Sequence, residues 1–108
     1  MATKVAWPVR AGDNESITFV WPGTVIVGAT YRCEIRPEAG DTGTALATAT
    51  TAVAQVSTNV EVTVSLSSVQ TRALEDLKVP VYDLEENAGG VISTLFEGPV
   101  QITRDVTV

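Results

Sequence analysis

Residues 60–66 read Val-Glu-Val-Thr-Val-Ser-Leu, and this stretch indicates the fold class. Valine or leucine fills positions 60, 62, 64 and 66 and polar residues fill the positions between them, which is the period of a half-buried strand. Residues 31–36 (Tyr-Arg-Cys-Glu-Ile-Arg) alternate in the same way. The chain also contains 17 valines, 15 threonines and 5 isoleucines, β-branched residues that suit a pleated sheet better than a helix. The sequence therefore predicts an all-β protein.

The length of the chain bounds the number of domains. At 108 residues it has room for one hydrophobic core but not for two domains. Hydrophobic residues make up 44% and charged residues 19%, a balance typical of a globular domain. About seven or eight strands without regularly interleaved helices favour a two-sheet sandwich or a small barrel. We predict an Ig-like two-sheet β-sandwich, a single domain over residues 1–108 with residues 1–12 as a candidate N-terminal arm.

One short helix is expected near residues 67–77. Ser67 or Ser68 can cap its N-terminus, and apolar residues follow at helical spacing as far as Leu77. Pro80 prevents the helix from continuing. Before this helix, residues 44–58 are rich in alanine and threonine and predict one or two strands with a turn that the pattern does not locate.

The C-terminal third predicts a hairpin and then a last long strand. Residues 79–85 form the first arm, and Asn87-Ala88-Gly89-Gly90 form a turn because asparagine and glycine tolerate positive φ. Residues 91–96 form the second arm. We expect Glu-Gly-Pro at 97–99 to end that arm with a bend or bulge, before a strand over residues 100–108.

Charge and residue type exclude several classes of function. The net charge is -6 and the seven Lys and Arg residues are scattered, which argues against binding to nucleic acid or to an anionic membrane. The sequence contains no histidine, so a Ser-His-Asp triad, a Cys-His dyad and a histidine-based zinc site cannot form within one chain. We therefore expect no enzymatic activity, no catalytic residues and no cofactor.

Cys33 and an acidic run are the remaining sources of site chemistry. The single cysteine has no partner for an intrachain disulfide, and its place on the apolar parity of residues 31–36 favours a buried structural thiol over a reactive one. Asp83, Glu85 and Glu86 offer oxygen ligands for calcium, but their spacing does not match an EF-hand loop. Charges that protect a strand edge from pairing explain them better, so we expect no metal site.

The N-terminal sequence indicates the place of synthesis. It lacks the long apolar segment of a signal peptide, and no stretch of the chain approaches the roughly 20 apolar residues of a membrane span. We expect synthesis in a cytoplasm and no membrane partner.

Two Trp-Pro pairs are candidates for a core anchor or for an interface contact. Trp21 lies in an apolar run, which favours the core. Trp7 lies in a short N-terminal segment, where an intersubunit contact and a core position are equally favoured. Trp7, Pro8 and Arg10 are therefore our candidate interface residues, because a terminal segment is ordered only when something holds it in place.

The C-terminal half carries a series of short motifs: Ser-Ser-Val-Gln-Thr-Arg-Ala-Leu (67–74), Val-Tyr-Asp-Leu-Glu (81–85), Gly-Gly-Val (89–91), Leu-Phe-Glu-Gly (95–98) and Val-Gln-Ile-Thr-Arg-Asp-Val-Thr (100–107). This order resembles small β-sandwich modules of tailed bacteriophages, in particular the N-terminal domain of upper-baseplate and fibre-attachment proteins. Residues 31–36 are similar to the strand upstream of these motifs. The first 30 residues depart from the pattern, since Trp-Pro-Gly-Thr at 21–24 stands where such modules carry a polar hairpin.

The resemblance implies a non-enzymatic structural component of a tailed-phage virion, made in the cytoplasm of the bacterial host. The implied role is an adaptor at the tail, neck or fibre base that binds other virion proteins. Such parts act as symmetric oligomers, so a homo-oligomer is also implied. Two alternatives stay open: a capsid decoration (cement) protein on the outer shell, and a bacterial Ig-like module that binds a ligand.

Overall fold

The computed structural model describes residues 2–38, 43, 45–75, 77 and 80–103. Strands dominate these ranges, and the prediction of a β-rich fold with one short helix is confirmed. The elements are β1 (Thr3–Lys4), β2 (Trp7–Arg10), β3 (Glu15–Pro22), β4 (Thr30–Arg36), β5 (Ala47–Val56), β6 (Asn59–Leu66), α1 (Ser68–Ala73), β7 (Val81–Ala88) and β8 (Val91–Thr103).

The strands form one curled, mixed sheet, which is a half-barrel. The order of its strands is β1-β8-β7-β4-β5-β6-β3, and β2 also pairs with β8. β1 and β2 run parallel to β8, whereas the pairings among β3 to β8 are antiparallel. The predicted two-sheet sandwich is not confirmed, because strand pairing continues from β1 to β3 without a break.

β5 joins the two halves of the sheet. Its first residues, from Ala47 to Ala49, pair with β4, and the rest of the strand pairs with β6. The sheet therefore turns at β5, so that β3 and β6 face β4, β7 and β8. Phe19 of β3 contacts Tyr82 of β7 and Phe96 of β8, with ring centroids 5.8 and 4.6 Å apart.

The core lies inside this curl. The apolar parity of residues 60–66 is buried, with at most 2% of any of the four side chains exposed, as the alternation predicts. The other buried apolar side chains of the strands come from β2, β3, β4, β5, β7 and β8, and they are those of Trp7, Val9, Phe19, Cys33, Ile35, Ala49, Tyr82, Leu84 and Val100. The burial of Cys33 confirms the prediction of a structural thiol.

α1 lies at one end of the half-barrel, which we call the helix end. At Ser68–Ala73 it is shorter than the predicted helix over residues 67–77, of which residue 76 lies outside the described ranges. Ser67 is the N-cap: its hydroxyl accepts a hydrogen bond from the Gln70 N–H (3.2 Å), and the Gln70 side chain accepts one from the Ser67 N–H (2.9 Å). Leu74, directly after the helix, is 1% exposed and belongs to the core.

The predicted hairpin is formed by β7 and β8, with a turn at Gly89 and Gly90, which both have positive φ. β8 continues through residues 97–99, where we expected a bend or bulge. The irregularity lies at Leu95 instead, because Leu84 pairs with Phe96 while the next residue of β7 pairs with Thr94. Residues 79 and 104–108 of the predicted strands lie outside the described residues.

Gly98 allows β8 to continue in this region. The backbone of Val5 crosses so close to it that a Cβ at position 98 would collide with the Val5 carbonyl group. The Val5 N–H donates to the Glu97 carbonyl (2.9 Å), which holds the link between β1 and β2 against β8. The glycine is thus explained by a close backbone approach.

Candidate functional site

The structure places the candidate interface residues on β2. Trp7 is 1% exposed, and its ring meets the Tyr82 ring edge-on at a centroid distance of 5.8 Å. Pro8 and Arg10 alternate with the buried residues of β2 and are exposed. Within one chain, Trp7 therefore takes the core position that was one of its two interpretations. The involvement of these three residues in an interface stays a prediction.

The predicted N-terminal arm is part of the sheet over the residues of β1 and β2. β2 pairs in parallel with β8 from Trp7↔Val100 to Arg10↔Thr103. The Tyr82 hydroxyl donates a hydrogen bond to the Val5 carbonyl oxygen (2.6 Å) between the two short strands. Burial raises the pKa of Tyr82 to about 12, so this donor keeps its proton throughout the neutral range.

Three carboxylates form an acidic cluster on the outer face of β4 and β7. They belong to Glu34, Asp83 and Glu85, and one ligand oxygen from each lies within 4.8 Å of the others. The sequence pattern missed Glu34, since its position opposite Asp83 follows only from the pairing of β4 with β7. Arg32 and Arg36 both pair with Glu34, at 2.9 and 3.1 Å. The cluster is therefore an ion-pair network with both signs of charge.

β7 lies between β4 and β8, so its carboxylates do not protect a strand edge as we expected. Glu86 is separate from the cluster and accepts a hydrogen bond from the Tyr31 hydroxyl (2.7 Å). Burial raises the pKa of Asp83, and the Glu85 and Glu34 carboxylates raise it further. Asp83 therefore holds its proton to a higher pH than an ordinary aspartate, which weakens its attraction for a cation.

Cys33 is fully buried beneath this network. Burial raises the pKa of its thiol to about 12, and the nearby Asp83 and Glu34 carboxylates contribute to the shift. A nucleophilic cysteine needs an accessible thiolate, which an elevated pKa disfavours at neutral pH. The thiol is thus a small packing group of the core.

Five large apolar side chains are exposed at the end of the half-barrel opposite α1. They define what we call the loop-end surface: Ile26 (48% exposed), Val27 (99%), Val56 (45%), Val91 (67%) and Ile92 (61%). The sequence pattern did not single them out, because alternation identifies which residues share a face but not which face stays uncovered. Five of the nine large apolar side chains exposed among the described residues thus lie at this end.

Strand pairing brings the three segments of the loop-end surface to the same end. The pair Thr30↔Asn87 places the loop over residues 23–29 beside the hairpin tip. The Gly23 N–H donates to the Thr58 carbonyl (2.9 Å), which joins that loop to the turn between β5 and β6. The Gln55 side chain reinforces this junction, since it accepts from the Val25 N–H (2.7 Å) and donates to the Gly23 carbonyl (3.1 Å).

A shallow cleft of about 340 Å³ lies between β3 and β8. Thr3, Trp21 and residues 93–96 line it, and the Trp21 and Phe96 rings are 5.8 Å apart. Trp21 is only partly buried and packs against the core from outside, so it is both a core contact and a cleft wall. An aromatic wall with neighbouring hydroxyl groups suits a small ligand or a side chain of a protein partner.

Comparison with known proteins does not assign a family. No protein-family model and no curated protein sequence matches the chain. Among the described residues, no helix has the length and apolar character needed to cross a membrane.

Proposed function

We propose that this protein is a non-enzymatic structural component of a tailed-phage virion that works through protein–protein interfaces. The observation that supports this role is the loop-end surface. Large apolar side chains that are exposed at one end of a domain are a feature of protein-interaction sites. The virion setting is supported by the motifs of the C-terminal half, which resemble phage adaptors of the tail, neck or fibre base.

The loop-end surface is suited to binding because a fixed framework carries it. Of the nine large apolar side chains exposed among the described residues, five belong to this surface. The Gln55 hydrogen bonds tie residues 23 and 25 of the loop to the neighbouring turn, which reduces the conformational entropy that this part of the loop loses on binding. Binding loops on a rigid scaffold are a general arrangement in recognition domains.

Within the same proposal, the half-barrel is a variant of the Ig-like two-sheet β-sandwich. The contact of Phe19 with Tyr82 and Phe96 across the core supports this interpretation, because facing layers of a sandwich also meet across one core. β5 is shared by both layers, and this sharing produces one continuous sheet. An Ig-like domain of this kind is compatible with the phage modules that the motifs resemble.

The proposed partners are other virion proteins and further copies of the chain, with synthesis in the host cytoplasm before assembly. A capsid decoration protein would use the same kind of apolar surface on a different partner. The deciding experiment is imaging of purified virions that carry the protein with a small electron-dense label. We expect label at the tail, neck or fibre base. Label on the capsid faces would establish decoration instead, and virions without the protein would overturn the proposal.

The apolar character of the loop-end surface is tested by Val27→Asp, with Val69→Asp as its control. Val69 is also exposed (78%) but lies on α1, at the opposite end. We expect Val27→Asp to reduce incorporation into virions at least about tenfold, because a buried unpaired charge costs more than 1.4 kcal/mol. Val69→Asp should be incorporated normally. Equal incorporation of both variants, measured by mass spectrometry of virions, would remove the loop end from the interface.

The cleft beside Trp21 favours a second candidate function, an Ig-like module that binds a small ligand or glycan. Its aromatic wall supplies the stacking surface that such a ligand needs. A glycan array probed with the purified protein tests this candidate. Specific binding that is lost in Trp21→Ala would support this candidate. An array without signal would count against it, and the structural role would be the remaining proposal.

A further inference from the structure

We propose that the free edge of β3 pairs with β3 of a second copy of this chain. The result is a dimer with twofold symmetry in which the two β3 strands are antiparallel and Thr18 lies at the axis. This edge is a different surface from the loop end, so the inference does not depend on the proposed virion role.

The direction of the backbone groups shows which residues of β3 are available. β3 pairs with β6 from Glu15↔Leu66 to Pro22↔Asn59 without a register shift, and the next residue, Gly23, donates its N–H to Thr58. Backbone groups alternate in direction along an antiparallel strand. The N–H and C=O groups of Ser16, Thr18 and Val20 therefore point away from β6. Among the described residues, no backbone partner is found for them.

Two other edges of the sheet, those of β2 and of the first residues of β8, are obstructed. β2 carries Pro8, which has no N–H, and the charged, exposed Arg10. The first residues of β8 contain the bulge at Leu95, which interrupts a regular ladder. β3 carries neither a charge nor a proline between Ser16 and Trp21 and has no bulge. Of these edges it is the one that can accept a straight strand.

The exposed sequence of β3 is compatible with its own copy. With Thr18 at the axis, Thr18 faces Thr18 of the second copy, and Ser16 faces Val20. Threonine pairs are favourable directly across strands, and no like charges face each other in this register. The Thr18 side chain already takes part in one threonine pair across strands, since its Oγ1 is 3.0 Å from that of Thr63 on β6. Pro22 ends the ladder because it lacks an N–H.

Disulfide formation by Thr18→Cys tests the geometry. Facing residues of a hydrogen-bonded antiparallel pair have Cα atoms about 5.5 Å apart, within the range of a disulfide. The native Cys33 does not compete, because it is fully buried and its thiol pKa is about 12. Thr50→Cys is the control, since Thr50 is exposed on the same face but on β5, two strands away. Mild oxidation should cross-link the first variant and not the second.

Two substitutions at the same position test the backbone hydrogen bonds. Thr18→Pro and Thr18→Val both remove the hydroxyl group, but only proline removes the N–H that points to the second copy. Sedimentation equilibrium should show a dimer for the native chain and for Thr18→Val. We expect dimerisation about 100-fold weaker for Thr18→Pro, because two intermolecular hydrogen bonds are lost at the axis.

Four outcomes would overturn the proposal. They are a native chain that stays monomeric up to millimolar concentration, a Thr18→Pro variant that dimerises normally, loss of the dimer in both variants, and equal cross-linking of Thr18→Cys and Thr50→Cys. Circular dichroism of each variant monitors the fold. If Thr18→Pro does not fold, the cross-linking pair decides the question without it. The loop-end variant Val27→Asp should dimerise as the native chain does, which separates this inference from the proposed function.

Discussion

The helix end and the loop end of the half-barrel use similar apolar residues in opposite ways. At the helix end, Trp7, Val9 and Leu74 are at most 2% exposed. At the loop end, Val27 and Val91 are 99% and 67% exposed. The difference lies in what the chain places over them, because β2 and α1 cover the helix end, whereas the loop over residues 23–29 and two short turns border the loop end. Hydrophobicity alone thus does not determine burial.

Polar contacts complete the helix end. The Gly12 N–H donates to the Thr71 hydroxyl (3.0 Å), and that hydroxyl donates to the Asp13 carbonyl (2.8 Å). Asn14 accepts a hydrogen bond from the Ser68 N–H (2.8 Å). The segment between β2 and β3 is thereby joined to α1 with its backbone groups satisfied. The helix end is thus packed and hydrogen-bonded, which stabilises the fold, whereas the loop end stays available for partners.

The largest expected effect compares Trp7→Ala with Val27→Ala. Removal of the buried indole should lower the free energy of unfolding by about 3–5 kcal/mol, through lost burial and a residual cavity. Truncation of the exposed Val27 to alanine should lower the free energy of unfolding by less than about 0.5 kcal/mol. Urea unfolding followed by far-UV circular dichroism measures both. A large loss for Val27→Ala would show that the loop end is packed, and the distinction between the two ends would fail.

A smaller effect is expected at the polar contacts of the helix end. Thr71→Val keeps the shape of a side chain that is 0% exposed but removes the hydroxyl that serves Gly12 and Asp13. We expect a loss of about 1–3 kcal/mol, because buried backbone groups lose their partner. Thr71→Ser keeps the hydroxyl and is the control. Hydrogen exchange of the Gly12 amide should accelerate in the valine variant and stay slower in the serine variant.

The smallest effect depends on pH and concerns Asp83. Its pKa is raised in the folded protein, so the stability linked to its proton is present below the ordinary pKa of 3.8 and is lost as the pH rises through the folded value. Asp83→Asn should therefore be more stable than the native chain near neutral pH, with the gain disappearing in acid. Glu61→Gln changes the net charge equally and serves as control. The loop-end side chains do not titrate, so the free energy of unfolding of Val27→Ala should differ from that of the native chain by the same amount at every pH.

Local pattern predicted the elements whose sequence alternates between apolar and polar residues or carries a clear turn or cap signal. Residues 60–66, residues 31–36 and the turn at Gly89 and Gly90 occur where the sequence indicates, and Ser67 caps the helix. In these segments the period of two and the conformational freedom of glycine act within a few residues. Such signals are readable without knowledge of the partner strand.

Pairing between distant segments could not be predicted in this way. The continuation of β8 through Gly98 depends on the close approach of Val5, and the acidic cluster depends on Glu34 meeting Asp83 across two strands. The β-branched residues 24–27 form no strand, although their composition suits one. Which strands become neighbours depends on the packing of the whole fold, whereas composition indicates only whether a segment is suited to a strand.

The parallel pairing of β2 with β8 has a consequence for biosynthesis. The segment around Trp7 leaves the ribosome well before its partner around Val100. Until that late strand is available, the indole has no complete pocket and the nascent chain exposes apolar surface. Contacts between such distant parts of a chain also slow folding, because closing the long loop costs entropy before any contact is gained. The core around Trp7 thus can be completed only after β8 has been translated.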